Sequence, residues 1–305
     1  MKIKPVFSTL PPLSLQPADL NHKFTKTYLS FYGLNFTVKC YCHGIINNGE
    51  TSIFVQIFQP GSSKATVLLS HGLFDHSALF RHVISCCLDQ NYTVITLDYP
   101  GHGLSSGSLQ MYEDFSLYAD TLSSVVEFCK KHLPEPLHLL GHSTGCSAIM
   151  ELLITRPLYV NEITSVLFLA PLVRPVSWHI LRIAFWILHG KVFSVPRAYH
   201  CVSSDTSFVK FYRNDPLHVK RLPLIWVQSL LNWNNRIANQ KTINKSISVI
   251  QGTYDQVVDW RYNLPALKTV FKVKTTQIPQ GKHHLHNEIH SLRQKTLKQI
   301  VEYLG

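Results

Sequence analysis

Short apolar runs alternate with helical stripes along most of this chain. Thr66-Val-Leu-Leu69, Tyr92–Leu97, Leu137–Leu140 and Ser165–Leu169 are compact runs between turn residues. Such runs predict buried strands. Between them, 77–90 suits a helix, and so does 146–154. In 114–132, Phe115, Tyr118, Leu122, Val125, Val126 and Cys129 fall at helical spacing. This alternation predicts a mostly parallel sheet with right-handed crossovers. Upstream, residues 24–58 read as strands. Phe36–Tyr41 and Ser52–Phe58 are β-branched and aromatic, with Asn47-Asn48-Gly49 turn chemistry between them, which predicts an antiparallel start to the sheet. The pattern resumes at Ile247–Ile250 and Lys274–Ile278, and a last helix is expected over about 292–303.

Two stretches break the rhythm. Residues 1–23 contain prolines at 5, 11, 12 and 17 and read as an extended arm. Residues 171–240 are rich in Trp, Phe and His, show no clear strand, and read as a helical insertion. The expected organisation is an arm (1–23), a core in two parts (24–170 and 241–305) and a helical cap (171–240).

Composition narrows the class. Of 305 residues, 45% are hydrophobic and 15% charged, as in a globular protein rather than a disordered one. The net charge of +11 comes without a dense Lys/Arg cluster, so no nucleic-acid partner is expected. A basic surface leaves room for peripheral contact with anionic membranes. Seven cysteines, odd in number and without zinc-site spacing, predict reduced thiols and a cytoplasmic setting. The N-terminus lacks the apolar run of a secretory signal. The apolar stretch 176–188 is too short to span a bilayer.

The candidate chemistry centres on Gly141-His142-Ser143-Thr144-Gly145, a G-x-S-x-G turn between an expected strand and an expected helix. A serine hydroxyl is a poor nucleophile and must stand where a base can reach it. Ligands in open α/β sheets bind beyond the carboxyl ends of the strands. Ser143, Asp255 and His283 all fall at such ends, in the chain order of α/β-hydrolase triads. Asp259 competes with Asp255 but could cap a helix beginning near Trp260. His284 competes with His283. His283, His284, His286 and His290 lack the Cys or carboxylate partners of a zinc site, so neither metal nor cofactor is expected. His71, His102 and His142 read as turn-shaping residues. Asp98 reads as a group bonded within its own turn. Trp178, Leu181, Phe185 and Leu188 could line an acyl pocket or merely pack the cap.

Five blocks resemble the monoacylglycerol lipase and lysophospholipase group of serine α/β-hydrolases. They are His71-Gly-Leu-Phe-Asp-His-Ser77, Asp98-Tyr-Pro-Gly-His-Gly-Leu-Ser105, Asp114-Phe115 through Asp120, Gly252-Thr-Tyr-Asp255-Gln-Val-Val258 and His283-His-Leu-His-Asn-Glu288. The resemblance covers roughly 65–170 and 245–300. It implies an α/β-hydrolase fold with antiparallel N-terminal strands and an inserted helical cap. It also implies Ser143 as nucleophile, His283 as base, Asp255 as its partner, and the backbone N–H groups of Leu73 and Thr144 as oxyanion donors. The implied substrate is a small acyl ester, favoured as a monoacylglycerol or lysophospholipid. A thioesterase or peptidase on the same triad, or an inactive hydrolase-fold binding protein, are the alternatives. Oligomeric state is left open.

Overall fold

The computed structural model describes residues 10–197 and 202–305. The first nine residues of the expected arm, and Cys201, lie outside the described residues. Residues 11–18 run along the first strand, with Ile45 N–H donating to Pro11 O (2.9 Å) and Ala18 N–H to Tyr41 O (2.8 Å).

The sheet has eight strands: β1 (Cys40–Asn48), β2 (Thr51–Gln59), β3 (Ala65–Ser70), β4 (Tyr92–Leu97), β5 (Leu137–His142), β6 (Ser165–Leu169), β9 (Ser246–Gly252) and β10 (Lys272–Ile278). Their order is β1-β2-β4-β3-β5-β6-β9-β10. β1–β2 and β2–β4 pair antiparallel and every later pair is parallel. Every residue of β3, β4 and β5 is buried, which explains their unbroken apolar runs. β10 is an edge strand and carries exposed or half-exposed Lys272 and Lys274, charges that discourage pairing with another chain.

Alternate strand residues feed two cores. Leu68, Ile95, Leu139, Phe168 and Val249 face α3 (Ser116–His132) and α4 (Thr144–Thr155). Val67, Leu69, Val94, Leu140 and Ile250 face α1 (Lys23–Tyr32), α2 (Arg81–Asp89) and α10 (His290–Leu304). α9 (Trp260–Val270) covers the first face beside β10, and the short α5 (Leu158–Glu162) precedes β6.

Two expectations need correction. Residues 24–58 are not all strand: Lys23–Tyr32 is the helix α1. Thr25, Tyr28, Leu29 and Tyr32 are its buried residues, at i, i+3, i+4 and i+7, one face of a helix. Its aromatic and β-branched content read as strand, but the burial period is helical. The segment 171–240 does contain strands. β7 (Ser194–Pro196) and β8 (Arg221–Pro223) pair antiparallel, three residues each, below the length at which periodicity speaks. Around them stand α6 (Trp178–Leu188), α7 (Thr206–Asn214) and α8 (Leu224–Ala238). Among the described residues no helix is long and apolar enough to cross a membrane.

Candidate active site

β5 ends at His142 and α4 begins at Thr144, so Ser143 occupies a one-residue corner. Its backbone sits at φ 54°, ψ −118°, where a side chain is strained. The corner closes because its neighbours lack side chains. A Cβ on Gly145 would lie 2.0 Å from the Ser70 carbonyl oxygen, and one on Gly141 would lie 2.7 Å from the Cys146 nitrogen. α4 therefore packs directly on β3, and Ser143 stands at the strand ends. Thr144 opens α4, so its N–H is among those a helix cannot satisfy internally.

Asp255 follows β9. Its Oδ2 lies 2.9 Å from His283 Nδ1 and accepts from Gln251 Nε2 (3.2 Å). Its Oδ1 accepts from the N–H groups of Val257 (2.8 Å) and Val258 (3.1 Å). Burial pushes this carboxyl up. The charge and hydrogen bond of His283 and the two backbone donors outweigh that and hold it below the ordinary carboxylate value. His283 Nδ1 is taken up by Asp255, and the His283 and Ser143 side chains line one cavity. Asp259 instead caps α9, accepting from Tyr262 N–H (3.3 Å). His284 turns away, its Nε2 3.6 Å from Asp75 Oδ2.

The loop after β3 lies against the serine. A Cβ on Gly72 would stand 3.0 Å from Ser143 Cβ, and Leu73 lines the cavity beside Ser143 and Thr144. Phe74 takes φ 70°, a second strained position beside the same site. His71 anchors this loop. Its Nε2 accepts from Tyr99 N–H (3.0 Å), so Nδ1 carries the proton and donates to Gly72 O (2.8 Å). Burial holds His71 well below the usual histidine value. Asp98 accepts from Leu104 N–H (2.8 Å) in its own turn and from Ser77 N–H (2.7 Å). His102 Nδ1 lies 3.0 Å from Pro100 O. His142 lies between Asp75 (3.3 Å) and the His283 carbonyl (3.2 Å). His71 and His102 thus brace their own turns, Asp98 ties its turn to Ser77, and His142, expected to shape a turn, instead bridges two other loops.

The cavity, about 430 Å³, extends from Ser143 beneath α6 and α8. Leu181 lines it, as do Ile180 and Ala184 of the same helix. Trp178, Phe185 and Leu188 pack on the core instead. One feature escaped the sequence reading: Asp75 gathers Tyr212, His142 and His284 around it, and Arg197 donates to the Tyr212 hydroxyl. Asp75 sat in a noticed motif. Tyr212 and Arg197 come from the segment without motifs, so no spacing joined them. His142, His284 and His286 also bring ring nitrogens within 4.8 Å of one another, around Asp75 rather than at the 283–290 spacing considered from sequence.

Residues 61–290 match the family described as serine aminopeptidase, S33. The chain belongs to this family. It is 26% identical over 271 residues to a monoglyceride lipase homolog of Monkeypox virus, covering 85% of this chain and 96% of that one. Human monoglyceride lipase is 25% identical over 273 residues, 84% of this chain and 88% of that one. Among solved structures, a soluble variant of Saccharomyces cerevisiae monoglyceride lipase with a substrate analog superposes with TM-score 0.73 at 15% identity, covering 86% and 94%. A Paleococcus ferrophilus monoacylglycerol lipase gives 0.70 at 20%, covering 83% and 98%. The resemblance drawn from the five blocks therefore extends over most of the chain, and the fold is that of α/β-hydrolases.

Proposed function

We propose that this protein is a serine hydrolase that cleaves the carboxylic ester of a single-chain acylglycerol lipid. The observation that carries it is Ser143, strained at the corner between β5 and α4, in one mostly apolar cavity with His283, whose Nδ1 is held by Asp255 behind it. Ser143 Oγ attacks the acyl carbonyl carbon while His283 takes its proton. Asp255 holds the imidazole tautomer and stabilises the imidazolium. The N–H groups of Leu73 and Thr144 receive the oxyanion; one such donor is worth about 10²–10³ in rate. The C–O bond then breaks, and His283 returns the proton to the departing alcohol. Water, deprotonated by His283, releases the fatty acid and restores Ser143.

The similarity to monoglyceride lipases supports the acylglycerol substrate, as does the apolar cavity. So does the outer surface of α6 and the loop after it, where Trp186 is 81% and Phe193 86% exposed. Exposed aromatics on a basic protein suit contact with an anionic lipid surface. A panel of p-nitrophenyl esters of rising chain length tests this reading. Efficiency should rise through medium and long chains. Turnover confined to acetyl and butyl esters would refute the lipid assignment. A peptidase is the second reading, favoured by the family's description; aminoacyl-p-nitroanilides turned over faster than the esters would select it. A binding protein without activity would turn over neither series.

A further inference from the structure

Four buried groups outside the triad converge. Asp75 comes from the loop after β3, His142 from the end of β5, and His284 and His286 from the segment before α10, and none is more than 3% exposed. Their hydrogen bonds do not balance. The His283 carbonyl oxygen, 3.2 Å from His142 Nε2, can only accept, so Nε2 carries the His142 proton. Burial holds this ring below the ordinary histidine value, which favours the neutral form with a lone pair on Nδ1. That lone pair faces Asp75 Oδ2 across 3.3 Å, while Asp75 Oδ1 already accepts from Tyr212 O–H. His284 Nε2 stands 3.6 Å from the same Oδ2, and the buried Nδ1 atoms of His284 and His286 have no hydrogen-bond partner among the described residues.

The spacings suit a metal ion better than hydrogen bonds. An N–H···O bond is typically about 2.9–3.0 Å long. Nitrogen and oxygen ligands of a tetrahedral zinc stand about 3.3–3.5 Å apart, close to the 3.3 and 3.6 Å between Asp75 Oδ2 and its two imidazole neighbours. The ring centroids of His142, His284 and His286 lie 4.6, 4.9 and 5.5 Å apart, near the roughly 5 Å of imidazoles that share one ion. Their ring nitrogens fall within 4.8 Å of one another, so coordination draws the rings inward. A Cβ on Gly72 would press within 3.1 Å of Asp75 Oδ2 and 3.3 Å of His142 Nδ1, so the glycine keeps this space clear. Asp75 and His284 line the cavity, which gives an ion its way in. The carboxylate that the histidine spacing lacked in sequence is thus supplied by Asp75.

We propose that Asp75, His142, His284 and His286 form a site for a divalent ion of the zinc and cobalt kind, and that filling it inhibits the enzyme. Three imidazoles and one carboxylate are a donor set that suits such ions. With four protein ligands the ion keeps no open position for a reacting water, so it is a regulator and not a participant in bond breaking. It takes the place of a proton between His142 and Asp75. Its charge then stands beside His283, whose ring centroid is 4.7 Å from that of His142. His283 must become an imidazolium to act, and a positive neighbour disfavours that form. The inhibition rests on the serine-hydrolase reading; the binding does not.

The test titrates Co²⁺ and Zn²⁺ into metal-free protein. Wild type should take up one tight ion per chain, and Co²⁺ should show the intense visible bands of a tetrahedral site. His286→Gln and Asp75→Asn should each weaken uptake by about 100-fold or more and lose those bands, whereas His290→Gln, at an exposed position, should keep both. Zn²⁺ should slow p-nitrophenyl butyrate hydrolysis by wild type about tenfold or more, and EDTA should restore it. His286→Gln should turn the ester over without metal and resist Zn²⁺. Only weak, octahedral Co²⁺ binding by wild type, or tight uptake that neither ligand variant weakens, would overturn the site. Equal inhibition of wild type and His286→Gln would put the inhibiting ion elsewhere and overturn the proposal, as would tight uptake with full ester turnover. No ester turnover with or without EDTA would refute the hydrolase reading and the inhibition with it, and the Co²⁺ bands would still decide the site.

Discussion

The sheet-end machinery and the segment between β6 and β9 are built on different rules. Around Ser143, positions are set by backbone: two glycines close the corner, and Val257 and Val258 N–H groups hold Asp255. Around Arg197 and Tyr212, positions are set by side chains reaching across from separate elements. The strands β3 to β6 of the first region bury their apolar residues, while α6 and the loop after it leave Ile180, Ile183, Trp186 and Phe193 in the open. The difference teaches where each kind of change should hurt: near β5 and β9 in chemistry, between β6 and β9 in selectivity and surface contact.

The largest effect should come from the first region. Ser143→Ala or His283→Ala should lower kcat by about 10⁶, and Asp255→Asn by about 10⁴. His284→Ala should cost far less, since its ring faces Asp75 and not Asp255. Single-turnover assays with a medium-chain p-nitrophenyl ester measure all four. Equal losses at 283 and 284 would blur the assignment.

The next effect lies where the two regions meet. Asp215, just after α7, places Oδ2 2.8 Å from His76 Nε2 and accepts from Tyr32 O–H (2.8 Å). Both members of the ion pair are fully buried. Asp215→Asn should cost about 3–5 kcal/mol, because the partner charge loses its compensation. Urea unfolding measures it, and a loss under 1 kcal/mol would show that the regions are only loosely joined.

Acid should then separate paired from unpaired histidines. Burial lowers His43 and His102 to about 4 and His218 to about 3. They fold neutral and bind protons first in the unfolded chain, so stability falls as pH drops below about 6.5. The loss is about 1.4 kcal/mol per pH unit for each, down to its folded value. His76 behaves oppositely. Burial pulls it down, but the charge and hydrogen bond of Asp215 raise it above the ordinary value. Its contribution is complete below about pH 6.5 and is lost as pH rises through the raised value. Burial raises Asp215 and His76 lowers it, to a net value of about 2, so its share is lost only as pH falls toward 2. The urea midpoint should therefore drop between pH 7 and 5, and Asp215→Asn should weaken stability most within the pair's window.

The smallest effect on folding belongs to the exposed patch. Trp186→Gln with Phe193→Ser should change stability by less than about 0.5 kcal/mol, yet reduce binding to anionic vesicles several-fold. Unchanged vesicle co-sedimentation would remove the surface role.

The same contrast explains what the sequence revealed. The buried parallel strands were legible because both their faces are covered, leaving unbroken apolar runs. Ser143 and Asp255 were legible because backbone geometry demands glycine and turn residues beside them. Residue types alone left His283 and His284 open and only the resemblance pointed to His283, since adjacent histidines look alike until rings are oriented on Asp255 and Asp75. α1 was misread because Tyr28 and Tyr32 suit strands by type and a helix only by spacing. The Asp75–Tyr212–Arg197 cluster joins Asp75 to two residues more than a hundred positions away, beyond the reach of any local pattern.

The central claim is that Ser143 is the activated nucleophile. Intact-mass and peptide mapping after treatment with a fluorophosphonate test it most directly. The account predicts one adduct per chain, on the peptide containing Ser143, absent from Ser143→Ala and strongly slowed in His283→Ala. A folded wild type that takes no adduct, or a Ser143→Ala variant that still takes one, would contradict it.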